Sequence, residues 1–175
     1  LKSEELARKP YVDVYAECLK NGASVVSGVL EDGILVRQAE ESYLKSDPSL
    51  YPLNDNNSPA TQPFDYREKR LNAIGGSQWK YSGQWISWKI DVPESGLYHI
   101  GLRFKQNFIR DIYCIRTLYI DGEIPFEEAE NIDFYFDNNW QVRLLGGTEP
   151  FLFHLEKGEH EIKLKVTAGD LSDIL

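Results

Sequence analysis

The chain has 175 residues, of which 42% are hydrophobic and 13% aromatic, enough to fill one hydrophobic core and to exclude a disordered chain. Its formal net charge of -9, from 28 acidic and 19 basic residues, excludes a general attraction to nucleic-acid backbones. No apolar run reaches the roughly 18 residues that cross a bilayer, and the first residues show no signal-peptide pattern.

An amphipathic helix is predicted near the amino terminus, and together with a linker it spans residues 1–32. Pro10 suits the first helical position, and Asn21-Gly22 is typical of a helix end. The apolar side chains that recur at helical spacing between them are Tyr11, Val14, Tyr15, Cys18 and Leu19.

The apolar spacing then changes to the twofold alternation of β-strands. Ile34, Val36 and the following QAEE predict a first strand. Two alternating runs joined by Pro-Glu-Ser-Gly at 93–96 predict a hairpin. Its predicted core-facing residues are Ile86, Trp88, Ile90, Tyr98, Ile100, Leu102 and Phe104.

Later segments repeat this pattern. The sequence IYCIRTLYIDGEI predicts a strand that ends in the turn signal Asp121-Gly122. The sequence FLFHLEKGEHEIKLKV predicts a second hairpin, with its turn through Lys157-Gly158.

Seven or eight strands with short polar turns and a single helix predict an all-β fold. We assign residues 33–168 to an antiparallel β-sandwich of the jelly-roll kind, preceded by the short N-terminal helix. Residues 169–175 are expected to begin a further C-terminal region, because no closing element follows the last strand.

Two long stretches interrupt the strand pattern. The first, from Glu41 to Ser82, greatly exceeds the usual connection of about 4 to 6 residues. Its apolar side chains favour a segment that lies against the sandwich, and they are Tyr43, Leu50, Tyr51, Leu53, Phe64, Tyr66 and Leu71. The second, from Glu127 to Gly147, mixes acids, amides and aromatics and is predicted as another rim loop.

Patterns typical of catalysis are lacking. The adjacent acids Glu40 and Glu41 would project in different directions from a strand, and Ser77 lacks the glycine two residues later that a nucleophile elbow requires. Cys18 and Cys114 fit no metal or redox motif, so both are predicted to be buried apolar groups, with a disulfide between them left open. We therefore expect no enzymatic activity.

Sugar recognition is better supported by the composition of the loops and strand ends. Flat aromatic rings can cover the C–H faces of a pyranose, and amide, guanidinium or carboxylate groups can bind its hydroxyls. The candidate ligand-binding residues are Trp79, Trp85, Gln106, Asn107, Arg110 and Trp140, beside the Asp-Asn-Asn runs at 55–57 and 137–139. Trp79 and Trp140 lie in predicted loops. Trp88 shares the core face of its strand, whereas Trp85 lies on the opposite face, where packing and recognition both remain open.

Several motifs resemble a known family. The segments QAEES, GGSQW, GQWISWKIDVPESGLYHIGLRF, LYIDGE and LEKGEHEIKLKV resemble the galactose-binding-like β-sandwich of carbohydrate-binding modules of families 6 and 35, over residues 34–166. The resemblance implies a ligand contact at Asn107 and a calcium ligand at Glu40. Gln38 stands where these modules have a first Glu, and the final strand lacks an Asp, so no cofactor is expected beyond a weak calcium site.

A tighter resemblance is carried by YPLNDNNSPATQPFDYREKRLNAIGG, FKQNFIRD and LYIDGEIPFEE. These segments are similar to a module inside large bacterial extracellular solute-binding proteins of carbohydrate ABC transporters, especially in Firmicutes. The resemblance implies an extracellular or cell-surface location, a lipoprotein anchor outside this segment, and two partners: an oligosaccharide or polysaccharide, and the rest of the parent protein. Two alternatives stay open, a structural or docking sandwich without a ligand and a glycoside hydrolase accessory or catalytic domain.

Overall fold

The computed structural model describes residues 8–26, 34–55, 71–107 and 114–167. They form the predicted antiparallel β-sandwich with one short helix, α1 at Tyr11–Lys20. The strands are β1 Leu44–Lys45, β2 Pro52–Leu53, β3 Ala73–Ile74, β4 Trp85–Val92, β5 Gly96–Tyr98, β6 Gly101–Gln106, β7 Cys114–Ile120, β8 Ile132–Phe134, β9 Asp137–Leu144, β10 Phe153–Leu155 and β11 Gly158–Val166. Two short 3-10 turns lie at Gly76–Gln78 and Glu127–Glu130.

Helix α1 forms where the apolar spacing predicts it, and it packs against the sandwich. Pro10 precedes the helix in an extended conformation instead of opening its first turn, and its carbonyl accepts a hydrogen bond from Val14 N at 3.2 Å. The ring centroid of Tyr11 lies 5.0 Å from that of Phe126 and 4.8 Å from that of Phe151. No helix of the described residues is long and apolar enough to span a membrane.

One layer of the sandwich is a five-stranded antiparallel sheet in the order β1-β4-β11-β7-β8. Its inner face follows the alternation of the sequence, since Ile86, Leu118 and Leu164 point inward and are almost fully buried. The intervening residues point outward. Among them, Lys163 of β11 lies between Ser87 of β4 and Tyr119 of β7, which are its partners in the sheet register.

The other layer contains two antiparallel pairs, β5 with β10 and β6 with β9. Phe104 of β6 meets Phe134 of β8 edge to face, with 4.7 Å between the ring centroids, so the two layers share one core. The buried residues of that core are Leu118, Phe126, Ala129, Ile132, Phe134, Leu145, Phe153, Ile162 and Leu164.

Neither predicted hairpin forms. β4 pairs with β1 and β11, whereas β5 pairs with β10, so the turn between β4 and β5 carries the chain from one layer to the other. β10 and β11 also belong to different layers. The turn that joins them lies beside the turn that joins β4 and β5. Val92 is opposite Gly158 before the crossing, and Gly96 is opposite Leu155 after it. A bent ribbon of two strands therefore spans both layers.

Two other strand predictions were wrong. Residues 34–42 form no strand. Ile34 and Val36 are each 69% exposed, so this alternating segment does not pack into the core. The strand predicted through His99 and Ile100 is broken there, because Ile100 O accepts a hydrogen bond from Leu145 N at 2.9 Å as the chain changes its pairing partner.

The predicted rim loop over residues 127–147 was also wrong, because it contains β8 and β9. The first long stretch does lie against the sandwich where it is described, and Leu50 is fully buried. Tyr51 is nevertheless half exposed, and Phe64 and Tyr66 lie outside the described residues.

The two cysteines are free thiols, Cys18 in α1 and Cys114 in β7, so no disulfide joins them. Each is half-buried instead of buried. Burial raises the pKa of the Cys18 thiol, and the nearby Glu17 carboxylate raises it further.

Candidate functional site

The outer face of the β6–β9 pair carries an aromatic and aliphatic surface. Phe104 and Gln141 are opposite each other and point toward the core. The alternating residues of β9 therefore point outward, and they are Trp140, Val142 and Leu144. Val142 is 66% exposed, and Trp140 is half-buried. An indole on an exposed sheet face has a flat apolar surface on which the C–H face of a sugar ring can stack. Trp140 thus lies in a strand, not in the predicted loop.

Asp55 and Lys105 lie at the edge of the Trp140 ring. Trp140 Nε1 donates a hydrogen bond to Asp55 Oδ2 at 2.9 Å, and Lys105 Nζ lies 3.5 Å from the same oxygen. The side chains of Asp55 and Lys105 are only 16% and 18% exposed, so solvent screens this ion pair weakly. We call Asp55, Lys105 and Trp140 the Trp140 cluster.

Asn72 fixes the backbone of Asp55. Its Oδ1 accepts a hydrogen bond from Asp55 N at 2.8 Å, and its Nδ2 donates to Asp55 O at 3.1 Å. Asn72 is only 5% exposed, so these two hydrogen bonds are shielded from solvent. A carboxylate held by both its backbone and its side chain loses little conformational freedom when it binds a ligand.

The predicted residues at the end of β6 and after it are only partly described. Gln106 is opposite Asp137 of β9 and is 6% exposed, so its amide is buried instead of facing solvent. Asn107 follows it and is exposed. Arg110 lies outside the described residues.

Trp79 has different partners from Trp140. Its ring meets Trp88 edge to face at 6.5 Å and lies 4.7 Å from the guanidinium of Arg116, whose Nη2 donates to Trp79 O at 2.9 Å. Burial lowers the pKa of Arg116. The buried Trp79 Nε1 has no acceptor among the described residues. These contacts make Trp79 an anchor of the turn before β4.

Trp85 lies on the outer face of the five-stranded sheet, on the opposite side of the sandwich from Trp140. It is opposite Lys165 of β11, and the ammonium of Lys163 lies 5.2 Å from its ring centroid. A single site therefore cannot use both the Trp85 and Trp140 rings.

Glu40, the predicted calcium ligand, lies beside Glu41, and its calcium site stays a prediction. Burial raises the pKa of Glu40, and the neighbouring Glu41 raises it further, whereas calcium needs several oxygen ligands in one place. No three His, Cys, Asp or Glu side chains of the described ranges converge where they could hold a metal. We derive no role for calcium.

Two members of this site carry no signal in the sequence. For Lys105, the sequence pattern predicts only that the side chain points outward from β6. Asn72 lies in a stretch without apolar periodicity. Asp55 belongs to one of the two Asp-Asn-Asn runs, and its hydrogen bond with Trp140 joins residues 85 positions apart. Only the folded chain brings them together.

Several solved structures are similar in fold. One is a Paenibacillus sp. cycloisomaltooligosaccharide glucanotransferase complexed with cycloisomaltoheptaose, at 21% identity and a TM-score of 0.56, covering 94% of this chain and 22% of that one. Another is a family 35 carbohydrate-binding module from Clostridium thermocellum, at 15% identity and a TM-score of 0.54, covering 77% and 86%. A third is a Podospora anserina GH26-CBM35 β-(1,4)-mannanase, at 10% identity and a TM-score of 0.51, covering 76% and 24%.

These similarities establish a shared β-sandwich fold. The chain spans about a fifth of the length of the glucanotransferase and most of the length of the isolated module. No protein-family model matches the chain, and no curated protein is similar to it in sequence.

Proposed function

We propose that the chain is a non-catalytic carbohydrate-binding module and that the Trp140 cluster is its sugar site. The observation that carries this proposal is the indole of Trp140 on an open sheet face, with Asp55 and Lys105 fixed at its edge. A pyranose would stack its C–H face on the indole and place hydroxyls against the carboxylate and the ammonium. The fold that the chain shares with a family 35 carbohydrate-binding module supports this function.

The predicted affinity is modest. The surface is an open sheet face, so a bound sugar would bury only one ring face and keep much of its hydration. We expect a binding free energy of about -4 to -6 kcal/mol, which corresponds to dissociation constants from roughly millimolar to tens of micromolar.

Replacing Trp140 by alanine is expected to weaken oligosaccharide binding at least about tenfold, because it removes the stacking platform. Trp140→Phe keeps a ring but loses the hydrogen bond to Asp55 Oδ2. It should therefore retain more binding than Trp140→Ala. Isothermal titration calorimetry with a panel of neutral gluco-, manno- and galacto-oligosaccharides measures both effects.

Trp85→Ala is the matched control, since it removes another half-buried indole from the opposite outer face. It should leave the binding of neutral sugars unchanged. Equal binding by the wild type and Trp140→Ala would remove Trp140 from the site. If no sugar binds the folded wild type, a structural or docking role replaces the proposal. In that role the aromatic residues would serve packing, as Trp79 does.

The wider context is also a proposal. We infer that the module belongs to an extracellular solute-binding component of a carbohydrate ABC transporter, held at the cell surface by a lipoprotein anchor outside this segment. The resemblance of YPLNDNNSPATQPFDYREKRLNAIGG and FKQNFIRD to such modules supports this inference. The complete gene should then encode a secretion signal and transport-binding lobes, and a glycoside hydrolase domain in their place would contradict the inference.

A further inference from the structure

The outer face of the five-stranded sheet carries a second group of aromatic and basic side chains. Lys163 and Lys165 alternate outward on β11, with Trp85 beside them on β4 and Tyr119 on β7. The ammonium of Lys163 lies 5.2 Å from the centroid of Trp85 and 4.6 Å from that of Tyr119. We call these four residues the basic strip.

The two lysines of the basic strip differ from the neighbouring Lys89 in their charge partners. No carboxylate of the described residues forms an ion pair with Lys163 or Lys165, whereas Lys89, on the neighbouring strand, pairs with Glu159 at 2.6 Å. Glu161 also lies on this face, and its carboxylate approaches Ser87 Oγ at 3.4 Å. In a chain of net charge -9, two neighbouring lysines without an ion pair among the described residues create a local positive potential.

A polar pocket adjoins the basic strip. It has a volume of about 380 Å³, and its lining includes Arg8, Ser82, Thr117, Tyr119, Glu130 and Lys165. Glu130 is held by Arg8, whose Nη1 lies 2.9 Å from Glu130 Oε2. Among the described residues that line the pocket, Lys165 is therefore a charge without an ion pair, and Tyr119 supplies a ring at the wall.

We propose that the pocket and the basic strip bind an anionic glycan whose charge is carried by a phosphate or sulfate ester. The ammonium of Lys163 lies against the rings of Trp85 and Tyr119, which hold it in place. Lys163 and Lys165 offer point charges for the ester, and the polar lining of the pocket offers partners for sugar hydroxyls. The guanidinium of Arg8 is already paired with Glu130, so the bidentate recognition that a planar carboxylate favours is less available.

A glycan suits this surface better than a nucleic acid. A nucleic acid carries a charge on every residue and would meet the repulsion of a chain with net charge -9 along its whole length. An ester on an otherwise neutral sugar chain places one charge at the basic strip and needs no positive surface beyond it. The site is independent of the Trp140 cluster, which lies on the other outer face.

Calorimetric titration with matched oligosaccharides tests this inference. The probes are a sulfated galactan oligosaccharide, a phosphorylated mannan oligosaccharide, their unmodified counterparts, an oligogalacturonate and a single-stranded oligodeoxynucleotide. We expect one or both esterified probes to bind more tightly than their neutral counterparts. Lys165→Gln should weaken that binding about tenfold, or about 1.4 kcal/mol. Raising sodium chloride from about 50 to about 300 mM should weaken it as well.

Lys157→Gln is the control, because it removes an exposed lysine from the turn between β10 and β11. Trp140→Ala should weaken the binding of the neutral probes and keep the tighter binding of the esterified probes, which separates this site from the proposed sugar site. Equal binding of esterified and neutral probes, or no effect of Lys165→Gln, would overturn the inference. Tighter binding of the oligogalacturonate would overturn the ester preference, and tighter binding of the oligodeoxynucleotide would overturn the choice of a glycan.

Discussion

Replacing Gly146 by alanine is expected to lower the free energy of unfolding by about 3 kcal/mol, from strain and overpacking together. Gly146 has φ of +102°, which L-residues rarely adopt. A β-carbon at this position would lie 2.7 Å from both Glu149 O and Phe151 N. Phe151 N donates to Leu145 O at 2.8 Å, so relieving the clash would disturb a backbone hydrogen bond beside the core.

Gly147 provides the matched control for this change. It also has a positive φ, of +68°, but a β-carbon there would meet no atom within 4 Å. Gly147→Ala should therefore cost only about 1 kcal/mol, the penalty of the left-handed conformation. Urea unfolding of the two variants measures both losses. Equal losses would show that the contact with Phe151 is unimportant.

Stability is expected to fall as the pH rises above the ordinary histidine value of about 6.5, because His160 loses its charge. His160 Nδ1 lies 2.6 Å from Asp121 Oδ2, and His160 Nε2 lies 2.6 Å from Glu156 O. Both partners are acceptors, so both ring nitrogens donate only when the imidazole is doubly protonated. These bonds tie the turn after β7 to the turn before β11.

The direction of this effect follows from the pKa of His160. Burial alone would lower the pKa, but the hydrogen bonds to Asp121 and Glu156 outweigh it and raise the pKa above the ordinary value. A raised pKa contributes stability that is fully present below the pKa of the unfolded chain and is lost as the pH rises through the pKa of the folded chain. We expect a loss of about 1 to 2 kcal/mol, from the weakening of charge-assisted hydrogen bonds.

Urea unfolding at a series of pH values measures this dependence. His160→Gln should be less stable than the wild type at low pH and should flatten the profile through the neutral range. His154→Gln, which changes an exposed histidine on β10, should keep the wild-type profile. A profile that stays steep in His160→Gln would assign the pH dependence to another group.

The hydrophobic spacing of single elements was predictable because each signal is local. The helical spacing around Tyr11 and Val14 predicted α1, and the alternation around Ile86 predicted the core face of β4. Trp88 packs against the core as its position in that alternation predicts, and its Nε1 donates to Ala39 O at 2.8 Å.

β9 was missed because its alternation is reversed. Its inward residue Gln141 is polar, whereas the outward residues Val142 and Leu144 are apolar and exposed. A sequence prediction that places apolar residues in the core therefore assigns this segment to a loop. The exception falls on the strand that carries Trp140, where an apolar outer face suits the proposed function.

The sequence by itself determined the all-β class, the helix and the inner face of strands such as β4, because burial imposes a local period on each of them. The tertiary structure decided which strands pair, since the chain crosses between layers after β4 and again after β10, where local alternation predicts hairpins. It also decided which polar groups meet. Asp55 and Trp140 are 85 residues apart, and no periodicity connects positions that approach each other only when separate strands pack.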